Sequence, residues 1–157
     1  MKIHTQNLII LIIAILAFAI PAAFSIHHPL NPQYLFFADS RNLGFLTNAL
    51  NVLTNLPFFF VGVWGIYELA LLKKKNLLQI FLILSIFFTG FGSTYFHLNP
   101  SIETLIWDRL PMAVGFLMFL ELVFIDYKKL VLLNSTTIIL AALGILTVLY
   151  WGYTEST

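Results

Sequence analysis

The chain has 157 residues, of which 60% are hydrophobic and only 10% are charged, and its formal net charge is +1. A soluble domain carries about 25% charged residues, so this chain has too few charges to cover a water-facing surface, and lipid is the solvent that its composition indicates. The small net charge gives no sign of nucleic-acid binding, and the absence of cysteine excludes disulfides and thiolate metal ligands.

Five apolar stretches are long enough to cross a bilayer, which takes about 20 mostly apolar residues. These stretches, the predicted helices A to E, span residues 8–24, 48–72, 77–96, 100–125 and 130–151. Breaks that contain charged residues, asparagine or proline separate them. The sequence therefore predicts a single all-α domain over residues 1–157, a polytopic transmembrane helical bundle of about five spans.

Predicted helix A has two interpretations. Lys2, the apolar run and the small residues Ala22 and Ala23 also resemble a signal peptide. The run is long for a signal peptide and no clean A-x-A cleavage site follows it, which favours a retained leading helix over residues 7–25. Cleavage would leave the orientation of the other predicted helices unchanged.

The loop charges predict the orientation, because lysine and arginine accumulate on the cytoplasmic side. If the N-terminus is inside, Arg41 and Arg109 are the only lysines or arginines that lie outside. The inner basic residues are then Lys2, Lys73, Lys74, Lys75, Lys128 and Lys129. This bias predicts a cytoplasmic N-terminus and an external C-terminus. Most of the histidines fall on the outer side, so potentially reactive residues are expected at that face.

A polar stripe marks the outer end of predicted helix B. Gly44, Asn48, Asn51 and Asn55 are spaced by four, three and four residues, which is one helical face. An amide in hydrocarbon needs a hydrogen-bond partner, so interhelical hydrogen bonds are the favoured interpretation of Asn51 and Asn55. For Asn48 the alternative is a cation site shared with Asp39.

Predicted helix C ends in Thr89, Ser93 and His97, which are spaced i, i+4 and i+8 and therefore share one face. Taken alone, this pattern fits a close-packed helix end at least as well as a functional site. The short connection after His97 makes helices C and D antiparallel neighbours.

The start of predicted helix D carries the carboxylate nearest to that face. Asn99 is predicted to cap the helix and Pro100 to take its first position. Asp108 lies deeper in the membrane than the loop, beside Arg109. An interfacial Asp108–Arg109 ion pair and a functional carboxylate are both open interpretations of these residues.

An ordered set of motifs resembles a known family. The motifs are FADSR at 37–41, NVLTNLPF at 51–58, GSTYFH at 92–97 and WDRLPM at 107–112. In this order and spacing they resemble the alkaline ceramidase family, especially its bacterial members, over residues 36–155. That family belongs to the CREST group of seven-helix membrane hydrolases and receptors. The resemblance to it implies a zinc-dependent amidase that cleaves the N-acyl bond of ceramide-like lipids in the membrane.

The resemblance also implies residue roles. His97 matches the family histidine that binds zinc, Ser93 matches the serine of the catalytic centre, and Asp108 matches the aspartate that holds the water activated by zinc. Some members bind calcium near the segment before the first shared helix, where Asp39 and Asn48 lie. The acidic ligand set for calcium is thin there.

The sequence departs from the family pattern at its end. The family's other two zinc ligands are a His-x-x-x-His pair on its last helix, and no such pair occurs in this chain. We therefore expect a truncated seven-helix core, with a genuinely short relative as the alternative. In the short relative, His27 and His28 would be the candidates for missing ligands, and a dimer is another way to complete the site.

Three functions remain open from the sequence. The leading one is a membrane hydrolase of lipid amides, expected in a bacterial inner membrane with its site at the outer face. The second is a non-catalytic CREST-type receptor or binding protein, although the motif at 107–112 favours the ceramidase branch. A transporter or proton relay would need acidic residues near mid-membrane, where Glu68 and Glu121 come nearest.

Overall fold

The chain folds into a bundle of long helices, which confirms the predicted all-α class. A computed structural model describes residues 3–24, 30–128 and 134–156. Helix α1 spans Ile3–Phe24, α2 Ala49–Leu53, α3 Leu56–Leu71, α4 Leu77–Leu98, α5 Ile102–Lys128 and α6 Asn134–Ser156, with a short 3-10 turn at Pro32–Leu35. Helix α4 packs most extensively against α5, which also packs against α6, while α3 lies on α4 and α1 on α6.

The outward faces of this bundle are apolar, as lipid contact requires. Phe60, Trp64 and Phe116 are each about 70% exposed, at 71%, 68% and 73%. Over the described residues, three segments are long and apolar enough to cross a membrane: Ala49–Leu71, Leu77–Leu98 and Asn134–Glu155. Helix α5 connects the last two and is about 40 Å long at 1.5 Å per residue, which is long enough to cross the same layer.

The start of α4 agrees with the sequence prediction because the local chemistry specifies it. The Asn76 side chain accepts a hydrogen bond from the backbone N–H of Leu78, and the Gln79 side chain accepts one from the N–H of Asn76. This reciprocal capping satisfies donors that the first turn leaves without a partner. The helix therefore begins at Leu77 and continues two residues beyond the predicted end, to Leu98.

The prediction of helix B as one continuous helix is wrong. The structure has two helices there, α2 and α3, with a break at 54–55. The reason is Pro57, which has no N–H to donate to the carbonyl group of Leu53 and whose ring would clash with it. The predicted stripe is also wrong. Gly44 and Asn48 precede α2 with positive φ angles of 60° and 47°, so they are not on a helical face with Asn51.

Predicted helix D begins two residues later than expected, and Asn99 and Pro100 do not start it. Asn99 instead ends α4, where its N–H donates to the carbonyl oxygen of Tyr95 at 3.3 Å. The cap of α5 is Ser101: its Oγ accepts from the N–H of Thr104, and Thr104 Oγ1 accepts from the N–H of Ser101. Predicted helix E also differs: α6 starts at Asn134 and runs beyond 151 to Ser156, while residues 129–133 lie outside the described chain.

The apolar core lies at the end of the bundle away from His97. Leu78, Met118 and Leu140 are at most 3% exposed and join α4, α5 and α6. Beside them, Thr137 Oγ1 donates to Glu121 Oε1 at 2.7 Å, while Glu121 Oε2 is buried and has no hydrogen-bond partner among the described residues. This packed core fixes the position of α5, including the end of α5 near His97.

Helices α1 and α6 run parallel. Near their starts, Thr136 Oγ1 donates to Asn7 Oδ1 at 2.5 Å. Near their other ends, the N–H of Leu30, which follows α1, donates to Oε2 of Glu155 in the last turn of α6 at 2.6 Å. A parallel pair is what the predicted alternation of spans requires, since α1 and α6 are both expected to run from the inner to the outer face.

Candidate active site

A close approach of two backbones places the candidate site. A Cβ added at Gly92 on α4 would collide with the carbonyl oxygen of Trp107 on α5 and would lie only 2.8 Å from its carbonyl carbon and 3.1 Å from the Cα of Asp108. Only glycine lets the helices come this near. The contact sets Ser93, the next residue of α4, beside Asp108.

Replacing Gly92 by alanine should therefore destabilise the protein and separate Ser93 from Asp108. The obstacle is helix backbone, which cannot rotate away, so we expect a loss of about 1–3 kcal/mol of unfolding free energy, measured by chemical or thermal unfolding in detergent. Gly90→Ala is the matched control, because its Cβ would meet the movable Phe59 ring at 3.1–3.2 Å. Equal losses in the two variants would contradict the assignment of the close contact.

Three of the residues singled out in the sequence are brought together at this contact. Ser93 and Asp108 are each 8% exposed, and His97 is half-buried one turn beyond Ser93. Ser93 and His97 both lie close enough to the Asp108 carboxyl group to interact with it electrostatically. The predicted shared face of α4 and its antiparallel packing on α5 are thus present in the fold.

Two polar atoms of this group are buried and have no hydrogen-bond partner among the described residues: His97 Nδ1 and Asp108 Oδ1. An unpaired buried acceptor or donor costs about 1–3 kcal/mol. Such atoms in the same small site are what a bound ion, water or substrate would satisfy. Ser93, His97 and Asp108 are therefore candidates for a ligand site.

The segment before α2 supports His97 from the outside. Asn48 Nδ2 donates to the backbone carbonyl oxygen of His97 at 2.8 Å, and Thr47 Oγ1 donates to that of Leu98 at 2.9 Å. These bonds satisfy carbonyl groups that the last turn of α4 leaves open. The Phe37 ring packs 4.7 Å from the imidazole ring. The contacts of Thr47 and Phe37 with the end of α4 were not predicted, since no spacing rule links these residues to that helix.

The two residues of the predicted calcium site have other partners. The Asp39 carboxylate accepts hydrogen bonds from Nε and Nη2 of Arg41, and this bonding lowers its pKa to about 2, so the ion pair persists at neutral pH. The Asn48 amide is used on His97. Calcium binding at Asp39 and Asn48 stays a prediction that these contacts do not test.

The other asparagines make different contacts from those predicted. Asn51 Nδ2 donates to the backbone carbonyl oxygen of Asp39 at 2.6 Å, and Asn55 Nδ2 donates to that of Asn51 at 3.2 Å. Both bonds are local to the 39–55 segment, so the interhelical interpretation is wrong. The bond of Asn51 to Asp39 stabilises the loop that contains Phe37, whose ring packs against His97.

Arg109 is not held in the ion pair with Asp108 that the sequence left open. Its guanidinium lies 3.9 Å from the centre of the Trp151 ring and 5.8 Å from that of Tyr34. Among the described residues, the structure shows a salt bridge between Arg41 and Asp39 and none at Arg109. Successive residues of a helix point about 100° apart, so Asp108 faces α4 while Arg109 faces α6.

The residues present fit one side of a metal site. The unpartnered nitrogen of His97 and the unpartnered oxygen of Asp108 are suitable donors for zinc and for a water that it holds. Within residues 3–24, 30–128 and 134–156, however, no group of three His, Asp or Glu side chains assembles. His27 and His28 lie outside the described residues.

The chain matches one protein-family model, described as Ceramidase, over residues 43–157. The matched segment includes Ser93, His97 and Asp108 together with the contact of α4 and α5. No curated protein and no solved structure matches the chain.

Proposed function

This chain belongs to the ceramidase family, and on that premise we propose that it hydrolyses the N-acyl amide bond of ceramide-type lipids at Ser93, His97 and Asp108. The observation that supports the proposal is the meeting of these three side chains at the contact of α4 and α5, where His97 Nδ1 and Asp108 Oδ1 are buried and have no hydrogen-bond partner among the described residues. An imidazole can bind a metal ion, a carboxylate can act as general base, and a hydroxyl group can stabilise an oxyanion, and metal-assisted amide hydrolysis uses these three functions.

Each side chain has a distinct task in this proposal. His97 would hold zinc as one of its ligands. Zinc, when bound, polarises a carbonyl group and lowers the pKa of a coordinated water to about 7. Asp108 orients the attacking water and takes its proton, which it then passes to the leaving amine. Ser93 donates a hydrogen bond to the oxygen of the amide as negative charge develops there.

The position of the site suits a substrate that stays in the bilayer. The three residues lie near the ends of α4 and α5 that meet at residues 99–101, where helix ends reach the headgroup region. The amide of a ceramide-type lipid lies just below its headgroup, at a comparable depth. Substrate would therefore enter from the membrane, without leaving it for water.

The proposal is tested by measuring whether the protein hydrolyses an amide bond or an ester bond. Full-length protein in lipid vesicles should release fatty acid from an N-acyl sphingoid base and should leave a diacylglycerol with the same acyl chains intact. The assay follows both fatty acids by mass spectrometry in one mixture. Release from the diacylglycerol alone would assign the site to ester hydrolysis and would overturn the proposal.

The proposed orientation places this site at the outer face, with the three lysines 73–75 in the cytoplasm. A reporter fused after Lys75 should then be active in the cytoplasm, and one fused after Asn99 should be active outside, because a single span, α4, separates the two positions. Reporter activity at both positions is the measurement. The opposite pattern would remove the argument for an external site.

A further inference from the structure

A second feature of α5 lies on the side away from Ser93 and His97. A cleft of about 380 Å³ runs between α5 and α6, within the 300–1,000 Å³ range of small-ligand sites. On α5 it is lined by Arg109, Met112, Ala113 and Phe116, which follow the i, i+3, i+4, i+7 pattern of one helical face. Thr147 and Trp151 line it from α6.

The cleft is apolar along its length and carries a cation at one end. Arg109 has no carboxylate partner within the described chain and stacks on Trp151 instead. Helical side chains lean toward the N-terminus of their helix, so Arg109 leans toward the end of α5 near residue 102. That residue is about 10 Å away along the axis, and long basic side chains extend toward headgroups in this way.

We propose that this cleft binds an anionic phospholipid, with one acyl chain along Met112 and Phe116 and the phosphate on Arg109. Charge complementarity decides the occupant. An arginine that makes no salt bridge within the described chain, and that extends toward the headgroup level, matches a phosphate, for which its planar fork of donors is suited. A ceramide is neutral and offers Arg109 no anion. The lipid site is thus separate from the hydrolytic site, which lies on the α4 side of α5.

The test is the affinity of the first lipid bound by the delipidated full-length protein. Native mass spectrometry in detergent, with dioleoyl phosphatidylglycerol or dioleoyl phosphatidylcholine as titrant, gives this constant. We expect phosphatidylglycerol to bind more tightly than phosphatidylcholine, and Arg109→Gln to weaken its binding about fivefold. Arg109→Lys, which keeps the charge, should weaken it less. Arg41→Gln removes an exposed arginine away from the cleft and should change nothing.

A second pair of variants tests the acyl-chain part without changing charge. Thr147→Phe fills the cleft and should weaken both phospholipids, whereas Ile145→Phe, an exposed position on α6 that does not line the cleft, should weaken neither. Equal affinities for the two lipids, or equal effects of Arg109→Gln and Arg41→Gln, would overturn the proposal. Displacement of phosphatidylglycerol by a short-chain ceramide, one for one, would assign the cleft to the substrate instead. None of these readouts depends on hydrolysis.

Discussion

Replacing His97 by alanine should remove bound zinc and reduce amide hydrolysis to the background rate. His97 is the histidine that α4 presents to Asp108, and its Nδ1 atom is buried without a hydrogen-bond partner among the described residues. Loss of a metal ligand affects both binding and chemistry, because the activated water depends on the ion. Zinc per protein, measured by elemental analysis, and fatty-acid release should fall together in this variant.

The control for this variant is Tyr95→Phe. Tyr95 lies on the same turn of α4 but is 51% exposed, so its substitution should leave both zinc content and hydrolysis near the wild-type values. Helix content and the unfolding midpoint are compared to show that the His97 variant folds. Retained zinc with normal turnover in His97→Ala would refute the metal assignment.

Asp108→Asn should lower kcat by about 10²–10⁴ while zinc remains bound. An amide side chain keeps the shape of the carboxylate but cannot accept the proton of the attacking water, and general-base catalysis is worth this much. Because the proposed role concerns the reacting water, the decrease should appear in kcat more than in KM. Steady-state kinetics and zinc content of the same preparation provide the measurement.

Glu103→Gln is the matched carboxylate control for Asp108. Glu103 lies on the same helix, one turn and a half toward its start, and is exposed. Glu103→Gln should change the rate of hydrolysis by less than a factor of about two, since Glu103 is not one of the side chains that meet at the close contact of Gly92 with α5. A similar loss in both variants would mean that the general negative charge of α5, and not the position of Asp108, supports the rate.

Much of the fold could be predicted because the local chemistry of the chain specifies it. The start of α4 follows from Asn76 and Gln79, which cap their own helix. The pairing of α4 with α5 follows from the short connection after His97. The break at 54–55 was missed because apolar residues continue on both sides of Thr54 and Asn55, although Pro57 was a local signal for it. The start of α5 was missed because Asn99 ends α4 and Ser101 takes the capping role.

The site was predictable where it depends on spacing along one helix. Ser93 and His97 lie four residues apart, so their shared face was readable in the sequence, and Asp108 follows on the next helix. The contacts that hold His97 join distant parts of the chain, as Asn48 does when it donates to the His97 carbonyl oxygen. The stacking of Arg109 on Trp151 also depends on how α5 packs against α6. Neither contact has a signal in local sequence.

The most direct test of the central claim, hydrolysis of an N-acyl amide at the contact of α4 and α5, is hydrolysis in ¹⁸O-labelled water. Full-length protein in vesicles is given an N-acyl sphingoid base, and both products are analysed by mass spectrometry. The account predicts one ¹⁸O atom in the released fatty acid, none in the base, and a rate of labelled release by Asp108→Asn that is lower by a factor of about 10²–10⁴. Unlabelled fatty acid, or equal release by the Asp108 variant, would contradict it.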